Sequence, residues 1–172
     1  NHYPVMYEPY HSRTRLRTNL KSIFWFLLFN FFLSVCLGYA YIVFMPGIEG
    51  PLSSLFVHGA LVSNTAMVYL ALFIVFAVLS PALRKTTLLM GLMVAAVTFL
   101  HMLNVLDIII FRIFRYHINS MVLTLVFTEG ARDSLHIGVG TVLTYAAGIG
   151  GILALEIFLA RLASRDLAYR TF

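Results

Sequence analysis

Residues 22–44 read SIFWFLLFNFFLSVCLGYAYIVF, a stretch with no Asp, Glu, Lys or Arg. At about 1.5 Å of rise per residue, roughly 20 such residues carry an α-helix across a ~30 Å hydrocarbon core. Trp25 stands near one end, and Tyr39 and Tyr41 near the other, where the two membrane–water interfaces collect aromatic rings. The stretch is longer than the hydrophobic region of a signal peptide and no A-x-A pattern follows it, so it reads as a retained span. The remaining residues agree: 60% of the chain is hydrophobic and 11% charged, against about 25% charged in a soluble domain, and the mean hydropathy is +0.90. The expected class is therefore an all-α integral membrane protein.

Working outward, three more apolar runs follow at about 55–79, 87–110 and 135–159, giving a bundle of four transmembrane helices. The connection 45–54 carries Pro46, Gly47, Gly50 and Pro51 and reads as a turn, and Ser80-Pro81 closes the second run. Residues 1–21 form a basic N-terminal segment in which Pro4 and Pro9 oppose a helix at the very start, with a short juxtamembrane helix from about Arg13. Arg13, Arg15, Arg17, Lys21, Arg84, Lys85, Arg161, Arg165 and Arg170 fall on one side of the spans, whereas the other side has Arg112, Arg115 and Arg132. The positive-inside rule then places both termini in the cytoplasm and the 45–54 and 111–134 loops outside. The chain begins with Asn1 rather than Met, and residues 160–172 form a basic tail; further sequence is expected beyond both ends. Cys36 lies within the first run, so no disulfide framework exists. The net charge of +5 sits beside apolar runs, which suits topology and anionic headgroups better than nucleic acid.

Residues 101–133, HMLNVLDIIIFRIFRYHINSMVLTLVFTEGARD, are the long stretch that mixes apolar periodicity with several ionisable groups. Taken as a helix, Ile110, Phe114, Ile118, Met121 and Leu125 share one side, and Arg112, Arg115, Tyr116 and Asn119 the other. This predicts an interfacial helix between the third and fourth spans, ending near Gly130, its arginines toward lipid phosphates. Arg112, Arg115, His117, Asn119 and Arg132 are the candidate lipid-binding residues, the first three by charge-assisted hydrogen bonds. Asp107 and Asn119 would hold the geometry of the loop.

Polar groups at membrane depth cost several kcal/mol without partners. His101, Asn104 and Asp107 are spaced to share a face of the third span, with Asp107 within reach of Arg112, Arg115 or His136. Together with His58 and His136 they are expected to form a polar network that locks helices toward the outer side. Glu156 is assigned to Arg161 at the inner end of the fourth span. Gly140, Thr144, Gly148 and Gly151 form a small-residue face suited to close helix packing, within the chain or onto a partner. The histidines show no HxxxH or HxxE spacing, so neither a metal site nor any cofactor is expected. No GxSxG, Walker loop, HExxH, CxxC or paired catalytic carboxylates is present, so no catalytic site is expected within these residues.

At residues 106–127, LDIIIFRIFRYHINSMVLTLVF, an Asp ending a span is followed by aromatic and basic residues, His117-Ile118-Asn119 and an apolar run, with Ala131-Arg132-Asp133 beyond. With the polar segment before Trp25 and Phe29-Asn30, this resembles the N-terminal membrane domain of sulfatase-like inner-membrane proteins of the alkaline phosphatase superfamily, YejM (PbgA) type. The resemblance implies a bacterial inner-membrane location, a fifth span and a periplasmic hydrolase-like domain outside these residues. It also implies a role in envelope lipid homeostasis through anionic phospholipid or lipopolysaccharide. The implied parent is either a working sulfatase or phosphotransferase-like enzyme or an inactive relative. Two other roles stay open: a small non-catalytic subunit of a membrane complex, with partner membrane proteins, and a metal- or proton-handling transporter using the outer histidines.

Overall fold

In a computed structural model the described residues are 8–45, 47–83, 85–115, 117–119, 124 and 139–168. They form four long α-helices and no strand: α1 (Glu8–Phe44), α2 (Pro51–Leu79), α3 (Thr86–Phe114) and α4 (Val139–Ala168). Each contains a window long and apolar enough to cross a membrane: Leu16–Phe44, Pro51–Leu79, Thr86–Arg112 and Ala146–Ser164. The protein is an all-helical, multi-pass membrane bundle.

The boundaries follow from backbone chemistry. The first helix runs without a break from the basic segment into the span, and Pro9 sits in its first turn, where a missing N–H is harmless. Pro51 opens α2 in the same way. It follows Gly47 and Gly50, whose positive φ values of 78° and 86° turn the chain in a region glycine enters without steric cost. The Pro/Gly cluster read as a turn thus also supplies the helix start. Phe114 ends α3: Arg115 adopts the left-handed conformation (φ 63°) while its N–H donates to the Phe111 carbonyl at 2.9 Å. Most of the expected interfacial helix, and its proposed stop at Gly130, lie outside the described residues.

The first helix is the hub, packing against all three others, with α3 and α4 also in contact. The apolar core gathers Ile23, Phe26 and Leu27 of α1, Tyr69 and Phe76 of α2, Leu89, Met93 and Val97 of α3, and Ala160 and Ala163 of α4. These positions lie mostly in the half of the bundle that holds the start of α1, the end of α4 and the α2–α3 turn. Thr86 Oγ1 donates to Asn19 Oδ1 at 3.0 Å and ties α1 to α3 there. Toward the opposite end, called here the loop end, the Leu61 side chain of α2 lies directly on Gly38 of α1. There α1, α2 and α3 part around a cleft of about 590 Å³.

Candidate functional site

The cleft is lined by polar side chains at two levels. At the loop end Asp107 is the organiser. Its Oδ2 lies 2.7 Å from His117 Nδ1 and accepts from the Tyr41 hydroxyl at 2.7 Å, and its Oδ1 accepts the Ile118 N–H at 2.5 Å. Tyr41 also reaches Asn104 Oδ1 at 3.1 Å. The His117 ring stacks on Phe111, with centroids 4.9 Å apart and planes 22° from parallel. One carboxylate in the last two turns of α3 therefore holds the segment that follows the helix and fastens it to α1. Three hydrogen bonds to an ionised acceptor are the kind that count most.

Both arginines beside this carboxylate act on the end of α1 rather than on Asp107. The Arg112 guanidinium stands 5.5 Å above the Phe44 ring, and the Arg115 guanidinium donates to the Phe44 carbonyl. Cations at a helix C-terminus complement its exposed carbonyls and dipole. Arg112, Arg115, His117 and Asn119 are all exposed, so the loop end presents donors and positive charge outward. Arg132 and His136 lie outside the described residues.

The second level lies near mid-height, and all four helices meet there. His101 of α3 is 1% exposed; its Nδ1 lies 2.7 Å from Oε1 of Glu156 on α4, which is fully buried. On the other side of the ring, Nε2 lies 2.9 Å from Ser34 Oγ of α1 and 3.4 Å from the Tyr69 hydroxyl of α2. Ser34 and Tyr69 join each other at 2.7 Å, and both line the floor of the cleft. Glu156 Oε2 has no hydrogen-bond partner among the described residues.

This arrangement revises two expectations. Glu156 does not pair with Arg161 at an interface; it faces inward onto His101, one helix over. His101 belongs to this central junction, whereas Asn104 and Asp107 form a separate group one to two turns above it. Among the described residues His58 is apart from both groups: its Nδ1 lies 2.6 Å from the Ser54 carbonyl of its own helix and its ring beside Tyr39 of α1. No cluster of three or more His, Cys, Asp or Glu that could hold a metal occurs among the described residues. On α4, Gly140, Gly148 and Gly151 are exposed, and a Cβ built on each would meet nothing within 4 Å. At Gly148 and Gly151 that leaves room for a closer neighbour than any among the described residues; the Thr144 side chain falls outside them.

The family model for a domain of unknown function, DUF3413, matches residues 9–171. The chain belongs to this family. The match takes in all four helices and both polar levels. No curated protein matches the chain.

Three residues of the DUF3413 site escaped the sequence reading. Tyr41 was assigned to an aromatic belt, and Ser34 and Tyr69 look unremarkable in apolar runs. Depth is the signal that finds the central group. His101 and Glu156 both fall near the middle of their helices, and two ionisable side chains at equal depth in a bilayer call for each other.

Proposed function

We propose that this DUF3413 chain is the helical membrane domain of a sulfatase-like inner-membrane protein, and that its loop end binds the headgroup of an anionic lipid. The observation that carries the reading is the cleft itself. It opens between α1, α2 and α3, with Tyr41, Asn104, Asp107 and His117 at its mouth and Val68, Leu100, Leu103 and Ile118 along its walls. A polar mouth with apolar wall beneath it, above the Ser34–Tyr69 floor, suits a lipid headgroup and the first part of its chain. Arg112 and Arg115 beside it supply the positive charge for phosphate, anionic phospholipid and lipopolysaccharide being the candidates. His117, Tyr41 and the Ile118 N–H hold both oxygens of Asp107 within the chain, and Arg112 and Arg115 outnumber its single charge. In the proposed orientation both termini are cytoplasmic in a bacterial inner membrane and the cleft opens outward, following the basic residues at the terminal end.

The test is flotation of the purified chain with liposomes containing phosphatidylglycerol or lipopolysaccharide. Replacing Arg112 and Arg115 together with Ala should weaken retention of the anionic lipid at least severalfold; equal retention by the double variant would refute the reading. A second role, a non-catalytic subunit of a larger membrane complex, is favoured by one feature, the unpacked face at Gly148 and Gly151. Gly148→Leu would then shift the mass of the native detergent complex; an unchanged mass counts against it.

A further inference from the structure

The central junction calls for an account of its own, because nothing in lipid binding uses it. A carboxylate and an imidazole, both at least 99% buried, sit at mid-height in an apolar bundle. The groups that face them are one from each packed element: Ser34 from α1, Tyr69 from α2, His101 itself from α3 and Glu156 from α4. Among the described residues neither member forms an ion pair with Arg or Lys. The dyad is not sealed. Ser34 and Tyr69, which touch His101 Nε2, line the cleft, while Nδ1 and Glu156 lie behind the ring.

We propose that the His101–Glu156 dyad is a proton-binding site in the middle of the bundle, loaded from the cleft through the hydroxyls of Ser34 and Tyr69. Two protonation states fit one geometry. In the unloaded state Glu156 is ionised and accepts the Nδ1–H of neutral His101, and Nε2 accepts from the Ser34 hydroxyl. In loading, Ser34 gives its proton to Nε2 and takes one from the Tyr69 hydroxyl, which is replenished by water in the cleft. Each hydroxyl ends with the proton count it began with, the hydrogen-bond directions reverse, and one proton has moved from water to the dyad. The loaded dyad is uncharged as a pair, whether the proton between Nδ1 and Oε1 sits on nitrogen or on oxygen. Unloaded, it carries one negative charge, for which Oε2 has no donor among the described residues. Isolated charge at this depth is costly, which makes proton occupancy a large energetic event for four helices at once.

The experiment is infrared difference spectroscopy of the whole chain in lipid nanodiscs, between mildly acidic and mildly alkaline pH, with Glu156→Gln for assignment. The expected result is a carboxyl or imidazole band that follows pH and is lost in Glu156→Gln. Its hydrogen–deuterium exchange should slow in the Ser34→Ala/Tyr69→Phe double variant. A spectrum without such a band, a band that survives Glu156→Gln, or exchange unaltered in the double variant would overturn the proposal. Nitrogen NMR of the ¹⁵N-histidine-labelled wild type keeps the question open to refutation should the variants fail to fold. His101 Nε2 must pass from acceptor to protonated nitrogen, and a ring that stays in one state across the range also overturns it.

Discussion

Replacing His101 with Leu should be among the most damaging single changes in the bundle. The substitution keeps an apolar side chain in the core but strands Glu156, which is fully buried and has no other partner for Oε1 among the described residues. Breaking a buried ion pair from one side costs about 3–5 kcal/mol, because an uncompensated polar group remains. Glu156→Leu should be milder. His101 can stay neutral and keep its bonds to Ser34 and Tyr69, and interhelical hydrogen bonds in bilayers average about 0.6 kcal/mol with an upper range near 1.7. Replacing both members removes the stranded group, so the double variant should be no less stable than His101→Leu alone, giving a coupling of at least about 0.6–1.7 kcal/mol. The assay is a double-mutant cycle on reversible unfolding in bicelles. Effects additive to within about 0.5 kcal/mol would mean that the two side chains do not hold each other, and the central junction would have to be abandoned.

Three further changes probe other parts of the bundle. Asp107→Ala removes the acceptor for the Ile118 N–H, His117 and Tyr41, so amide exchange at Ile118 should lose most of its protection, while α3 up to Leu103 keeps its own; unchanged exchange at Ile118 would contradict the anchoring role. Gly38→Val drives two methyl groups into Leu61, and overpacking of this kind costs about 1–3 kcal/mol, read as a lower Tm in detergent; an unaltered Tm would mean that α1 and α2 are not in close contact there. Arg115→Gly relieves a left-handed non-glycine residue, worth about 1 kcal/mol, but loses the guanidinium bond to the Phe44 carbonyl, so stability should change by less than about 1 kcal/mol; a loss several times larger would place the function of Arg115 in its side chain.

The fold class was legible because it rests on length and polarity, which a bilayer reads residue by residue. The central junction was not, because it depends on how four helices rotate about their axes. Glu156 shows why. In sequence its nearest cation is Arg161, five positions on, and a surface ion pair looks sufficient. Only the packing of α4 on α1 and α3 through Ala160 and Ala163 decides that the carboxylate turns inward. Spacing did place Asn104 and Asp107 on one face, and both line the cleft. It gave no hint that Tyr41 would complete that group from another helix. The αL stop at Arg115 was equally hidden, since a glycine fifteen residues later is the stronger end signal by composition.

The distribution of polar groups follows from the uneven packing of the bundle. In lipid the hydrophobic effect does not press helices together, so contact rests on close packing and on hydrogen bonds between helices. The terminal half has the first: Phe26, Leu89, Met93 and Ala163 are essentially buried and interlock around α1. Above them α2 exposes most of its surface and the helices part around the cleft. There the Ser34–Tyr69–His101–Glu156 junction and the Tyr41–Asn104–Asp107 group join the Gly38–Leu61 contact, the Tyr39–His58 rings and the arginine contacts to Phe44 in fixing the spacing of α1, α2 and α3. The junction and the Tyr41–Asn104–Asp107 group line or underlie the cleft, so residues that hold it open are also ones a ligand or a proton would meet. A substitution that silences the site by loosening the bundle is therefore told apart from one that removes a binding group by the Tyr41–Asp107 level: Tyr41→Phe removes a single hydroxyl, about 1 kcal/mol, and leaves His117 and Ile118 on the carboxylate.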